Sequence, residues 1–433
     1  AYRPGGTEHE WIDTEVLRRI RRRSLAALRA EVEAVDPEAL ARFIPEWHGV
    51  GNPAGHSQRL HEVVRQLQGV GIPASELERS VLSARLAYRP GDLDAMLASG
   101  EVVWIGRGPL GANDGRVALY LRHQVPLLHR PLIEEPPDGE LHQLIRTHLH
   151  TRGASFFQDL YLAAEGGPQD AVLDALWDLV WNGEVTNDTM APLRAMLGRK
   201  RKRGGTRPRF PTATPPSGSG RWYLVDTLRA LDEPVAPELA AKATAEQLLE
   251  RYGVVTRDAV LGEGIPGGFA GLYPVFSTME DTGQVRRGYF VEGRGGSQFA
   301  LPGAVDRLRT PSETMPRAMA ATDPANVYGS ILPWPEHETG RCARRAGAIV
   351  LLDGGTLIAY LERGGRTILT FGNDVDRLVT GLADIGEGSR DRWTLETVDG
   401  EPVTTSELRP LLEQAGFVPG YRGLTYSPPG RRA

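Results

Sequence analysis

With 433 residues and a mass of 47.3 kDa, the chain is too long for one ordinary domain; about 150 residues per domain sets an expectation of roughly three. A composition of 40% hydrophobic and 24% charged residues fits a soluble globular protein, no apolar run approaches the ~20 residues of a membrane span, and the lone Cys342 excludes an internal disulfide framework or a cysteine-rich zinc site. The formal net charge of -5 confines any nucleic-acid surface to a local patch, and the absence of a secretory or membrane segment in these residues sets the expectation of a cytoplasmic location.

The first residues, Ala1-Tyr2-Arg3-Pro4-Gly5-Gly6, carry no Met and read as the end of a strand or wing, so the chain is expected to be a piece of a longer polypeptide. A long helix is expected over 13–34, with Asp13 as N-cap and Val16, Leu17, Ile20, Leu25, Leu28 and Val32 on its apolar face. Its other faces carry Arg18, Arg19, Arg21, Arg22, Arg23 and Arg29, and Asp36-Pro37 ends it because the residue before proline resists helical dihedrals. Residues 1–50 thus form the end of one winged helix plus a basic helix.

An internal repeat follows. Residues 92–106 (DLDAMLASGEVVWIG), 171–188 (AVLDALWDLVWNGEVTND) and 272–290 (LYPVFSTMEDTGQVRRGYF) each read as an amphipathic helix, a glycine stop and a β-branched strand. Gly100, Gly183 and Gly283 stand where a left-handed C-cap needs a residue without a Cβ. Hairpins are expected at 101–105 with 116–121, at 184–186 with a short return, and at 284–291 with 297–301, with shorter helices upstream at 59–67, 141–151 and 243–251. Helices followed by a helix–Gly–hairpin unit describe a winged helix, which places such domains at 51–138, 139–198 and 221–318. Between the last two, residues 198–220 (GRKRKRGGTRPRFPTATPPSGSG) cannot bury a core, and 199–220 reads as a basic flexible linker, either a solvated spacer or an electrostatic hold on nucleic acid. Lys200, Lys202 and Lys242 are the only lysines among 50 basic residues, an arginine bias that suits bidentate phosphate contact or simply reflects codon usage.

After about residue 318 the pattern changes. Residues 347–371 read as three alternating strands with hairpin turns at Asp353-Gly354-Gly355 and Arg363-Gly364-Gly365, followed by a helix (374–384), a strand (392–398) and a helix (405–415). The fold class expected is therefore α+β: tandem winged helices, then a small β-barrel module at 319–433.

The site candidates come from residue chemistry. Arg286, Arg287, Tyr289 and Arg294 stand on the third hairpin among Gly288, Gly293, Gly295 and Gly296, a basic and aromatic wing suited to phosphate contact and base stacking; the plainer reading is a solvated wing whose tyrosine packs on its own sheet. Gln298 reads a base edge or points outward. Arg18 and Arg22 are a second candidate contact, against a solvated helix face. Trp104, Trp177 and Trp181 lie on the core side of their repeats. His142, His148 and His150 scatter around a helix at 100° per residue, so no metal site is expected. Asp323, before Pro324 at the start of the last module, is the one carboxylate named as a catalytic candidate, against a turn-initiating role.

Four strings, WIDTEVLRRIRRRSLAALRAEVE (11–33), IPASELERSVLSARLAYRPGDLDAMLASGEVVWIGRGPLG (72–111), LWDLVWNGEVTNDTMAPLRAM (176–196) and RRGYFVEGRGGSQFALPGAVDRL (286–308), resemble the C-terminal half of the bacterial Lhr (large helicase-related) proteins. The resemblance implies an accessory region of a superfamily 2 DNA repair helicase, with a 3′-to-5′ single-strand motor elsewhere in the polypeptide. ATP and Mg2+ belong to that motor, since nothing here matches G-x-x-x-x-G-K-[ST]; no cofactor is expected in this region. Its implied partners are DNA, mainly single-stranded, and the N-terminal helicase core. Homo-oligomerisation, with a tetramer as first guess, is the competing expectation of a scaffold without DNA chemistry. The winged helices and barrel also resemble AlkZ-type DNA glycosylases, in which a Gln-x-Gln motif shortly before a proline carries catalysis. Aligned on Pro73, those glutamines fall on Gly69 and Gly71, and the literal Gln66-Leu67-Gln68 lies three residues earlier. Glycines cannot hold a water or stabilise an oxocarbenium-like state, so base excision is expected to be weak or absent.

Overall fold

In a computed structural model of the chain, the residues described are 16, 33–52, 57–132, 135–165, 168–198, 214–229, 235–310, 315–388 and 393–426. Most of the long helix expected over 13–34 and of the basic segment 199–220 falls outside them; Glu33 and Ala34, at the end of that expected helix, are described and are not helical.

The first helix, α1 (Pro37–Trp47), starts where Asp36 accepts the Ala39 amide at 2.8 Å and Pro37 fills the first turn. The first winged helix contains α2 (Ser57–Leu67), β1 (Ile72–Pro73), a helical turn that widens into a π-turn over Leu77–Leu82, α3 (Pro90–Ala98), β2 (Val102–Pro109) and β3 (Gly115–Leu121). The second has α4 (Glu140–Arg152), β4 (Ser155–Phe156), α5 (Phe157–Ala163), α6 (Gln169–Trp181), β5 (Val185–Asn187), an inserted α7 (Ala191–Leu197) and β6 (Arg221–Leu224). The third has α8 (Pro237–Tyr252), β7 (Val254–Val255), α9 (Arg257–Gly262), α10 (Gly268–Asp281), β8 (Arg286–Gly288), β9 (Gln298–Ala300) and a trailing α11 (Pro302–Arg309). All three sheets have one topology, β1-β3-β2, β4-β6-β5 and β7-β9-β8, with the short first strand and the first wing strand flanking the second wing strand. The glycine stops have the expected left-handed backbone, with φ of 74° at Gly100, 75° at Gly183 and 79° at Gly283.

The second hairpin departs from expectation. Its partner strand is β6, pairing Val185 with Leu224 and Thr186 with Tyr223, so there is no short return. The basic segment therefore interrupts a wing instead of joining two domains, and residues 221–229 belong to the second winged helix. α7, inside that interruption, is anchored on the first winged helix, because Arg194 donates to Glu78 at 2.7 and 2.8 Å and to Asp94 at 2.6 Å.

The first two winged helices share one core. Gly106 on β2 meets α6 so closely that a Cβ would lie 1.8 Å from the Val180 carbonyl oxygen, which leaves glycine as the one residue that fits. Trp104, Trp177 and Trp181 are buried in this core as expected, and the Trp104 indole donates to the Thr189 carbonyl at 3.2 Å. α1 packs elsewhere: its Leu40, Phe43 and Ile44 join the core of the third winged helix. Val35 exchanges hydrogen bonds with that wing, its amide to the Phe290 carbonyl and the Glu292 amide to its own carbonyl, both at 2.9 Å.

The last region is an open mixed sheet. β10 (Arg317–Ala320), β11 (Ile349–Asp353), β12 (Thr356–Leu361) and β13 (Thr367–Thr370) are antiparallel neighbours; after α12 (Val375–Gly388) the chain returns as β14 (Trp393–Leu395), β15 (Thr397–Val398) and β16 (Glu401–Pro402). α13 (Arg409–Gln414), β17 (Phe417–Pro419) and β18 (Leu424–Tyr426) complete it. The strand expected at 392–398 divides at Glu396, β15 extending the six-stranded sheet in parallel to β13 and β14 joining a separate sheet in the order β14-β18-β17. The ends of the larger sheet, β10 and β16, are not paired with each other, so among the described residues no closed barrel forms. Among the same residues, no helix is long and apolar enough to cross a membrane.

Candidate nucleic-acid interface

The helix before each wing is the element a winged helix ordinarily lays in a DNA groove. Here α3, α6 and α10 contain no lysine or arginine. α6 turns Leu173, Leu176, Trp177 and Val180 into the shared core, and α3 carries Asp92 and Asp94. Three uncharged or acidic helices are poorly suited to a polyanionic duplex, because phosphate neutralisation supplies most non-specific affinity. Among the described residues, exposed cations stand on the wings and their flanks.

The third wing brings only part of its expected set to the surface. Arg286 is exposed on β8, and Tyr289 is 43% exposed with its hydroxyl accepting the Gly293 amide at 2.7 Å. Arg287 turns inward: its guanidinium lies 3.1 Å from the buried Glu280 carboxylate and donates to the Tyr273 hydroxyl. Arg294 reaches across to the last region, donating to the Ile331 carbonyl at 3.0 Å beside Asp258 at 3.6 Å. Gln298 neither reads a base nor points outward. Fully buried, it accepts the Phe290 and Val291 amides at 3.0 and 2.9 Å and returns a bond to the Val291 carbonyl at 2.7 Å, fixing the wing turn. Arg287 and Arg294 are thus correctly placed on the hairpin but serve packing, whereas Arg286 and Tyr289 remain available. Arg18 and Arg22 lie outside the described residues.

Asp323 does not stand on an open path. Its side chain is fully buried, and Arg85 grips both oxygens, Nη1 to Oδ2 at 2.8 Å and Nη2 to Oδ1 at 2.6 Å, while the Ala325 amide donates to Oδ1 at 2.7 Å. Arg85 Nη2 also lies 3.1 Å from His48 Nδ1. A guanidinium can only donate, so Nδ1 is the bare acceptor and His48 Nε2–H donates to the Arg251 carbonyl at 2.9 Å. Burial, and then the charge of Arg85, push the His48 imidazole down to about 3. Burial works to raise the Asp323 carboxyl, but the charge and hydrogen bonds of Arg85 outweigh it and hold the group below the ordinary carboxylate range. With no lone pair facing solvent, this carboxylate ties the first winged helix to the last region; the catalytic expectation for Asp323 gives way to a structural one.

Gln66 and Gln68 are engaged similarly. Gln68 is buried, donating to Gln247 at 3.1 Å and accepting the Leu121 amide at 2.9 Å, and Arg251 donates to the carbonyls of both glutamines while pairing with Glu263. The literal Gln-x-Gln is thus a seam between the first and third winged helices. Sequence reasoning missed Arg85, Arg251 and His48. The one available signal was Arg85 itself, a cation three residues after Leu82 and beside Leu86 in an otherwise apolar stretch. The histidines of α4 act separately, His142 beside Asp178 at 3.2 Å and His148 beside the Ser155 hydroxyl at 3.1 Å.

Three copies of one topology, with exposed cations on wing flanks instead of groove helices, define a tandem winged-helix protein. Comparison with known sequences names the family. The profile of the large helicase-related protein winged-helix domain matches twice, its third-domain form at residues 35–122 and its fourth-domain form at 234–320. The chain is 45% identical over 400 residues to the Lhr helicase/probable uracil glycosylase of Mycolicibacterium smegmatis, covering 85% of this chain and 26% of that protein. It is 36% identical over 468 residues to the Lhr helicase/uracil glycosylase of Escherichia coli strain K12, covering 96% of this chain and 30% of the relative. The chain belongs to the Lhr family, and it spans less than a third of the length of these curated relatives. The Streptomyces sahachiroi DNA glycosylase AlkZ shares the fold, with a TM-score of 0.50 at 14% identity over 82% of this chain and 96% of that one.

Proposed function

We propose that this chain is a nucleic-acid-holding accessory region of an Lhr-type DNA repair helicase, acting mainly on single strands. On this reading a 3′-to-5′ motor using ATP and Mg2+, elsewhere in the same polypeptide, feeds the strand to these winged helices. The observation that carries the reading is the distribution of charge: none of α3, α6 and α10 bears a cation, while the third wing exposes Arg286 and Tyr289, one for phosphate and one for a base face. Uracil excision, which the name of one Lhr relative records and that of the other gives as probable, does not run through Asp323 here, because its carboxylate is fully buried and held by Arg85. The test is fluorescence anisotropy with single-stranded and duplex DNA over a salt series. Salt-dependent binding that favours the single strand supports the reading, and equal or absent binding removes it. Incubation of Asp323→Asn with a uracil-containing strand, followed by alkali, checks the second part: cleavage by the parent chain that vanishes in a folded Asp323→Asn would restore that residue as catalytic.

A second reading, a homo-oligomeric scaffold, is favoured by the exposure of Phe156 at 56% and Leu162 at 65% on the second winged helix. Light scattering decides it. A mass of 47.3 kDa across the micromolar range would exclude a tetramer or any other oligomer of this chain.

A further inference from the structure

Around the turn Gly69-Val70-Gly71 the first winged helix gathers cations that form no ion pair with a carboxylate among the described residues. Arg107 on β2 and Arg116 on β3 flank the turn; a Cβ on Gly71 would sit 3.5 Å from the Arg107 Cβ and 3.4 Å from the Arg116 Cδ. Arg107 donates to the Arg130 carbonyl, and Arg130 donates to the Thr244 hydroxyl at 2.7 Å, which brings the third winged helix to the same place. Among the described residues none of these three arginines forms an ion pair, unlike Arg146, Arg194, Arg251 and Arg287.

We infer that Gly69, Gly71, Arg107, Arg116 and Arg130 form a contact site for the sugar–phosphate backbone of a single nucleic-acid strand at the seam of the first and third winged helices. The inference rests on the nucleic-acid role proposed above and gives it a place. The like charges of Arg107 and Arg130 repel each other, and an anion presenting several oxygens relieves that repulsion. Burial first, and then the neighbouring Arg107, lower the Arg130 guanidinium against the opposing pull of Tyr120 and Glu263. The adjoining His129 is buried, its Nδ1 has no hydrogen-bond partner, and burial followed by Arg107 and Arg229 pushes its pKa to about 3; it stays neutral and leaves the positive charge to the arginines. The two glycines let the turn lie close against Tyr120 and the two arginines. Gly69 has φ of 81°, a conformation that disfavours a side chain, and a Cβ there would lie 3.6 Å from the Tyr120 ring. A guanidinium fork matches two phosphate oxygens. A rigid duplex groove fits less well, because the groove helices carry no cation.

The experiment uses the full chain and a fluorescein-labelled oligothymidylate, with anisotropy read over a salt series. Each phosphate neutralised contributes roughly 0.7 to the logarithmic salt slope, so Arg116→Ala should lower it by about 0.7 and Arg107→Gln with Arg116→Ala by about 1.4, with affinity down about tenfold at low salt. Arg116→Lys should keep most of the slope. Arg116 is exposed, so its variants keep the melting temperature and carry the test even if the double variant folds poorly. Parent-like slopes in a folded Arg116→Ala chain would overturn this site while leaving the nucleic-acid role intact. A parent chain with no salt-dependent binding would overturn both.

Discussion

The first and third wings use arginine in opposite ways. On the third, Arg287 reaches back to buried Glu280 and Arg294 crosses to Asp258 and Ile331, so two of its three arginines hold the protein together. At the root of the first, Arg107 and Arg116 form no ion pair among the described residues. The third hairpin looks more basic as a string of letters, yet the first presents the larger unneutralised charge. A hairpin's affinity for an anion is set by which arginines already have a partner, and those partners arrive from other elements.

The buried Arg85 is the extreme of the structural use and should show the largest effect. Arg85→Leu leaves the Asp323 carboxylate buried and unpaired, and the expected loss is about 3–5 kcal/mol in urea unfolding. Removing both charges, with Arg85→Leu and Asp323→Leu together, should recover most of it. A single Arg85→Leu variant as stable as the parent would end the division of arginines into structural and free.

Acid should produce the next largest effect. The folded His48 titrates at about 3 against an ordinary 6.5, so between those values the unfolded chain binds a proton that the folded one refuses. Stability from His48 is complete above pH 6.5 and declines as the pH falls toward 3, by on the order of 3 kcal/mol at pH 4. Asp323, whose folded pKa is also depressed, adds a loss below the ordinary carboxylate range. Melting temperature followed against pH in the parent and in His48→Gln checks this, the variant showing the flatter curve. Parallel curves would mean that the junction opens to water.

The smallest effects divide the third wing itself. Arg287→Ala should cost roughly 1–3 kcal/mol, because it strips the cation from a buried carboxylate, and leave the salt slope for single-stranded DNA unchanged. Arg286→Ala should do the reverse, lowering the slope by about 0.7 with stability intact. If Arg287→Ala lowers the slope as well, its inward pairing opens when DNA binds.

Local features of this chain were legible in its letters because short-range sterics dictate them. The left-handed stops at Gly100, Gly183 and Gly283, the turns at Gly354–Gly355 and Gly364–Gly365, and Trp177 and Trp181 on the inner face of α6 all follow from backbone freedom and period 3.6. The three helix–Gly–strand repeats, and with them the winged-helix class, came from the same signals. Features that depend on distant partners were not legible. β6 completes the second sheet across an insertion, α1 packs on the third winged helix instead of the first, and residues 392–398 divide between two sheets. Asp323 opens a turn by its local sequence, and nothing nearby announces that Arg85, 238 positions earlier, will close over it. The reason is physical: a backbone turn is settled by a few neighbouring dihedrals, whereas the state of a charge depends on what surrounds it, and that is known only once the chain has folded back on itself.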